Sequence, residues 1–131
     1  MSSIFSRIIS GEIPCYKIAE DASFLAFLDI NPLVEGHALV IPKKEIDYIF
    51  DIDDALLKDM IVFSKKVANR IQKAIPCKRI GLSVIGLEVP HAHIHLVPMQ
   101  SMEDMSFSNV KLVLSSSQLE GIQTKINAIS E

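Results

Sequence analysis

Three of the four histidines in this chain stand within five residues, His91-Ala92-His93-Ile94-His95, followed by Leu96-Val97-Pro98. Side chains alternate between faces on a strand, so the three imidazoles point one way, about 6.5–7 Å apart, and Ala92, Ile94 and Leu96 point the other. One face is then apolar and core-forming while the opposite face is a row of imidazoles. Burial favours neutral rings, and protonated neighbours would repel one another. A fold gains little from such a row unless it binds something. Two chemistries suit it. Neutral imidazole is a common ligand of zinc, copper or nickel, although no carboxylate or cysteine stands out as the further ligand. The alternative is a phosphate site, in which the central ring attacks phosphorus and its neighbours donate hydrogen bonds to the non-bridging oxygens.

The elements that must position this row follow from spacing and punctuation. Ile4, Phe5, Ile8 and Ile9 have helical spacing, and Gly11 stands where a left-handed cap would end a short helix. After Pro14, residues Cys15 to Glu20 and Phe24 to Ile30 read as strands around a turn at Asp21 and Ala22. Ala38 to Ile41 is a third strand, entered after Gly36 and closed by Pro42. From Asp53 to Ile75 the apolar residues keep a 3.6 period, with Asp51, Asp53 and Asp54 at the start and Pro76 beyond the end. Ile80 to Val84 and Ala92 to Val97 add two strands. Leu119, Ile122, Ile126 and Ile129 suggest a last helix, with Ser117 and Glu120 spaced as a capping box. The expectation is an α+β fold over residues 1–131 as a single domain: an antiparallel sheet of about five strands, one long helix, and short helices at the N- and C-termini.

Composition narrows the role. Of 131 residues, 49% are apolar and 22% charged, which excludes disorder. A net charge of −3 lacks the basic surplus that draws proteins to nucleic acid. No apolar run approaches the roughly 20 residues of a membrane span, and the N-terminus has no basic-then-apolar signal pattern. Cys15 and Cys77 do not form a Cys-x-x-Cys pair, so a disulfide scaffold or cysteine zinc site is not expected and a cytoplasmic setting fits.

The stretch His91 to Val97 reads His-φ-His-φ-His-φ-φ, φ being apolar, and so resembles the signature of the histidine triad (HIT) family. Ile4 to Ile9 with Glu12-Ile13-Pro14, Phe27 to Pro32, and Gly36 to Lys43 resemble, in order and spacing, the blocks of that family's Hint-like branch. The likeness covers about residues 3–98; the extension from 99 to 131 carries no motif. It implies a HIT-like fold and a purine nucleotide hydrolase or nucleotidyl transferase cleaving phosphoramidate or phosphoanhydride bonds at the α-phosphate. It further implies His93 as nucleophile, carrying a transient nucleotidyl group, with His91 and His95 orienting it and binding phosphate oxygens. His37 would support the nucleophile's tautomer, Asp29 would accept from ribose hydroxyls, and Phe5, Ile8, Ile13, Phe27 and Ile30 would form the base slot. No cofactor is obligatory on this reading, the imidazoles taking a metal's place, and a homodimer with joined sheets is implied.

The sequence departs from the family pattern before the triad. Ser83 to Pro90 looks several residues short, Leu87 stands where glutamine is common, and Ser83 stands where an asparagine often helps hold phosphate. Leu87 cannot donate a hydrogen bond. Glu88 either projects toward the leaving group or lies in solvent, and Glu45 replaces a histidine of some relatives. Two alternatives follow: a weakly catalytic nucleotide-binding or sensor module, and a metal protein using the histidine row.

Overall fold

A computed structural model describes residues 3–130 of the chain. Helix α1, Ile4–Ile9, begins at Ser3, whose hydroxyl accepts the Ser6 N–H, and gives way at Gly11, whose φ of 83° is the left-handed exit expected there. Strands β1, Lys17–Glu20, and β2, Phe24–Leu28, follow. Asp21 makes the turn between them because its carboxylate accepts the N–H groups of Ser23 and Phe24. Strand β3 is Ala38–Pro42, and α2 is Asp54–Ala74 with Asp53 capping the Leu56 N–H. Strand β4 is Arg79–Ser83, β5 is Ile94–Met99 and α3 is Ser116–Asn127.

The strands form one antiparallel sheet in the order β1-β2-β3-β5-β4. Strand alternation divides its side chains into two layers. Phe24, Ala26, Leu28, Ala38, Val40, Ile94 and Leu96 face α2 and α3, meeting Met60, Val67, Ile71, Leu119, Ile122 and Ile126. Leu25, Phe27, Leu39 and Ile41 face the other way, against Phe5 of α1. Both faces of β2 and β3 are therefore buried, and their sequences are continuous apolar runs.

Two expectations need correction. The box that starts α3 is Ser115 with Gln118, not Ser117 with Glu120: Ser115 Oγ accepts the Gln118 N–H at 3.1 Å, and the Gln118 side-chain Oε1 accepts the Ser115 N–H at 2.8 Å. Three consecutive serines made the spacing ambiguous, and the backbone enters the helix two residues earlier. Strand β5 begins at Ile94, so His91 and His93 precede the ladder and only His95 of the triad lies within it.

The sheet's two edges differ. At β1 the Lys17 carbonyl accepts from Gln123 and Asn127, and the Ile18 carbonyl accepts from Arg70. Strand β4 pairs only with β5, and Leu82 on it is half exposed.

Gly36 joins the β2–β3 connection to His37 with φ at 92°, and a Cβ there would stand 3.1 Å from both Ile75 Cγ1 and Pro98 Cγ. Gly36→Ala therefore meets backbone strain and crowding together, at about 1–3 kcal/mol for the backbone alone. The urea midpoint of the variant should fall correspondingly; an unchanged midpoint would contradict this reading.

Candidate active site

Strand register assembles one wall of a cleft. Phe27 pairs with Leu39, Leu39 with His95, and His95 with Ser83, so these four residues share the sheet face away from α2. In front of this face lies an open cleft of ≈450 Å³. Phe5, Ile8, Ile13, Phe27, Asp29 and Ile30 line it together with His37, His93, His95 and Glu88. Two expected residues do not. Ser83 stays on β4 beside His95, and His91 lies behind the cleft, fully buried. The histidines are thus not one uniform row: His93 and His95 reach the cleft, and His91 supports them from within.

The hydrogen bonds of the four rings determine where each proton sits, because a neutral imidazole has one donor and one acceptor nitrogen. His37 Nδ1 accepts the Leu33 N–H at 3.0 Å, so its proton is on Nε2, which donates to His95 Nδ1 at 3.0 Å. His95 must then carry its own proton on Nε2. His91 Nε2–H donates to the Pro42 carbonyl at 2.8 Å, and its Nδ1 accepts from the Ser3 hydroxyl at 2.9 Å. His93 Nδ1–H donates to the His91 carbonyl at 2.7 Å. In the neutral ring this leaves the His93 Nε2 lone pair free. His93 and His95 rings stand 4.9 Å apart, and Phe5 meets the His93 ring edge-on at 5.0 Å. A lone pair beside an N–H donor can attack and bind an electrophilic phosphate.

Burial keeps three of these rings, His37, His91 and His95, in their neutral form near pH 7. Burial depresses His37 to about 4, with the Lys111 charge adding to the effect. Burial depresses His95 to about 3, reinforced by His37, His93 and Lys111. Burial also lowers His91, against the opposing Pro42 hydrogen bond and Glu45 charge. Asp29 moves the other way, raised by burial against the Asn31 N–H that holds it at 2.9 Å. One atom each of Asp29, His37 and His95 lies within 4.8 Å of the others, a spacing that suits a metal ion. Holding one there would mean breaking the His37–His95 hydrogen bond and reversing the His37 tautomer, since both of its nitrogens are already engaged.

Sequence reasoning missed two contributions. The first is a brace at the N-terminus. Glu45 accepts from the Ser3 N–H at 2.7 Å and the Ser6 hydroxyl at 2.6 Å, and Ser3 in turn bonds His91. These bonds, the Ser3 N–H foremost, hold the Glu45 carboxyl down at about 2. Nothing in the local pattern of Glu45 pairs it with residues forty positions away. The second is the C-terminal extension, which carries no motif yet places Phe107 and Lys111 on the cleft. The Phe107 ring stands 4.7 Å from that of His95 and 6.2 Å from that of His37.

Because His37 and His95 titrate below the ordinary value of 6.5, the unfolded chain binds more protons than the folded one once pH drops under 6.5. Stability should fall as pH goes from about 6.5 toward 4 and 3, by up to about 1.4 kcal/mol per pH unit for each ring; the raised Asp29 acts in the opposite sense. Urea midpoints at pH 7 and pH 5 measure this, and equal midpoints would refute it.

Comparison with known proteins identifies the family and the fold. A family model described as HIT domain matches residues 10–102. The adenosine 5′-monophosphoramidase hnt1 of Schizosaccharomyces pombe is 39% identical over 108 residues, covering 79% of this chain and 78% of its own. The crystal structure of a HIT-like protein from Bartonella henselae superposes with a TM-score of 0.83 at 31% identity, over 97% of this chain and 95% of its own. A zinc-bound histidine triad family protein from Mycobacterium smegmatis gives 0.82 at 27% identity, over 98% and 92%. The match runs from just after α1 through β5 and takes in His37, His91, His93 and His95, and on that ground the chain belongs to the HIT-domain family.

Proposed function

We propose that the protein is a purine nucleotide hydrolase of the phosphoramidase type, acting at the α-phosphate through His93. The observation that carries this reading is the hydrogen bond from His93 Nδ1–H to the His91 carbonyl, which commits the proton to one nitrogen and leaves the other as a nucleophile. The name of the fission yeast relative supports the P–N bond as the target. Nε2 of His93 attacks the α-phosphorus, the P–N bond breaks, and the amine leaves with a proton from cleft water. Water then attacks the nucleotidyl-histidine and passes its proton to the hydroxide left by the first step, the N–P bond breaks, and the nucleoside monophosphate departs as the ring regains its lone pair. His95 donates Nε2–H to a non-bridging oxygen throughout, and His37 holds His95 in the tautomer that can do so.

The rest of the cleft suits a nucleotide. Asp29 accepts from the ribose hydroxyls. Ile30, 60% exposed at the rim, has no core to fill and is placed to cover a purine base, whereas Phe5 and Phe27 are buried and form the floor. Glu88 faces the leaving group. Chemistry proceeds without an obligatory metal, because the nitrogens that would ligate one are occupied in the proton chain. The zinc of the mycobacterial neighbour is that protein's property. We also propose a homodimer formed at the unpaired β4 edge, where Leu82 and the neighbouring Val84, Ile61, Tyr48 and Phe50 are exposed apolar residues. No helix among the described residues is long and apolar enough to cross a membrane, and both cysteines are free, in keeping with a cytoplasmic protein.

Release of AMP from an adenosine 5′-phosphoramidate should fall on the order of 10⁴-fold or more in His93→Ala, while wild-type activity persists in excess chelator. Equal turnover by both proteins would dispose of the mechanism. Tight AMP binding without turnover of any phosphoramidate would favour the sensor reading, and loss of activity in chelator would favour a metal. Sedimentation should give a dimeric mass for the wild type and a monomeric one for Leu82→Lys; a monomeric wild type would remove the dimer.

A further inference from the structure

The proton chain leaves the cleft with a deficit. His37 and His95 are neutral near pH 7, Leu87 donates nothing, and Asp29 and Glu88 are acidic. A phosphate entering it would meet N–H dipoles but no positive charge from the family's motif. Among the residues lining the cleft, Lys111 is the single cation.

Lys111 arrives on the segment after β5. That segment is anchored on both sides of the lysine: the Phe107 ring packs on His95, and the Leu112 N–H donates to the Pro32 carbonyl at 2.8 Å. The Lys111 ammonium donates to the Phe107 carbonyl at 2.8 Å and the Asn109 carbonyl at 3.3 Å. Both acceptors are neutral, and no carboxylate among the described residues pairs with it. An ammonium has three N–H donors, so one remains, and its charge is not neutralised by a salt bridge. It lines the cleft with Asp29, His37 and His95, its ammonium 5.8 Å from the centre of the Phe107 ring that packs on His95. Half-burial strengthens a charge-assisted bond relative to one in open water.

We propose that Lys111, held over the cleft by the C-terminal segment, binds the negatively charged phosphate oxygens of the nucleotide. The proposal rests on the nucleotide reading above and assigns to the extension the charge that the imidazoles lack. Lys111 then separates phosphorylated ligands from bare nucleosides: the base and ribose contacts are common to both, and the ammonium adds affinity only when a phosphate is present.

The test is calorimetric binding of AMP and of adenosine to wild type, Lys111→Met and Lys111→Arg. Methionine keeps the apolar stem, and a thermal melt checks that the segment stays docked. Lys111→Met should weaken AMP binding by about tenfold or more, leave adenosine binding unchanged and flatten the salt dependence for AMP, and Lys111→Arg should restore most of the loss. Unchanged AMP binding in Lys111→Met overturns the inference, as does an equal loss for AMP and adenosine, which would make Lys111 a support for cleft shape. Failure of the wild type to bind either ligand overturns the nucleotide reading and this inference with it.

Discussion

A buried neutral imidazole offers one donor and one acceptor, and at this site the protein has committed nearly all of them. Main-chain groups at Leu33, Pro42 and His91 take one nitrogen each from His37, His91 and His93. The bond between His37 and His95 then transmits the choice of tautomer to the fourth ring. Misplacing one proton would leave a donor facing a donor inside the protein, at a cost of about 1–3 kcal/mol for an unsatisfied buried group. The rings therefore cannot exchange roles freely, and the single uncommitted lone pair belongs to His93.

This commitment depends on the backbone around it. His37 follows Gly36, where φ is positive and a Cβ would crowd Ile75 and Pro98. The His91 carbonyl is useful only because the chain has not yet entered β5, so the residue is spared from the ladder and free to accept from His93. The same departure from regular strand geometry turns the His91 ring away from the cleft, toward Ser3 and Pro42. Through Ser3 and Glu45, helix α1 is tied to the triad, and its Phe5 is the edge against which the His93 ring rests.

Neutral rings have a consequence for binding. A row of imidazoles orients a phosphate without attracting it from a distance, and cleft carboxylates oppose its approach. The geometry that could hold a metal is the geometry of the His37–His95 proton contact, and each use excludes the other. Charge must come from elsewhere, and the extension beyond β5 is the part of the chain that brings it to the cleft.

Much of this was legible in one dimension. Alternation and 3.6-residue spacing located all five strands, the long helix α2 and the C-terminal helix α3, because apolar periodicity is a local record of which face is buried. The spacing of His91, His93 and His95 marked an imidazole site suited to a metal or a phosphate, and the resemblance carried by residues 3–98 pointed to Asp29, His37 and the apolar slot residues, which line the cleft. Other features were not legible. Ser83 fell outside the cleft although its register brings it beside His95, since loop 84–90 determines how the wall ends. Glu45, Phe107 and Lys111 reach the site across separations of tens of residues, and no periodicity encodes such a contact. The amino-acid order by itself determined which faces are apolar and which residues can exchange protons. Only the tertiary structure decided which nitrogen holds each proton and where a positive charge stands, because both depend on carbonyls and N–H groups supplied by distant backbone.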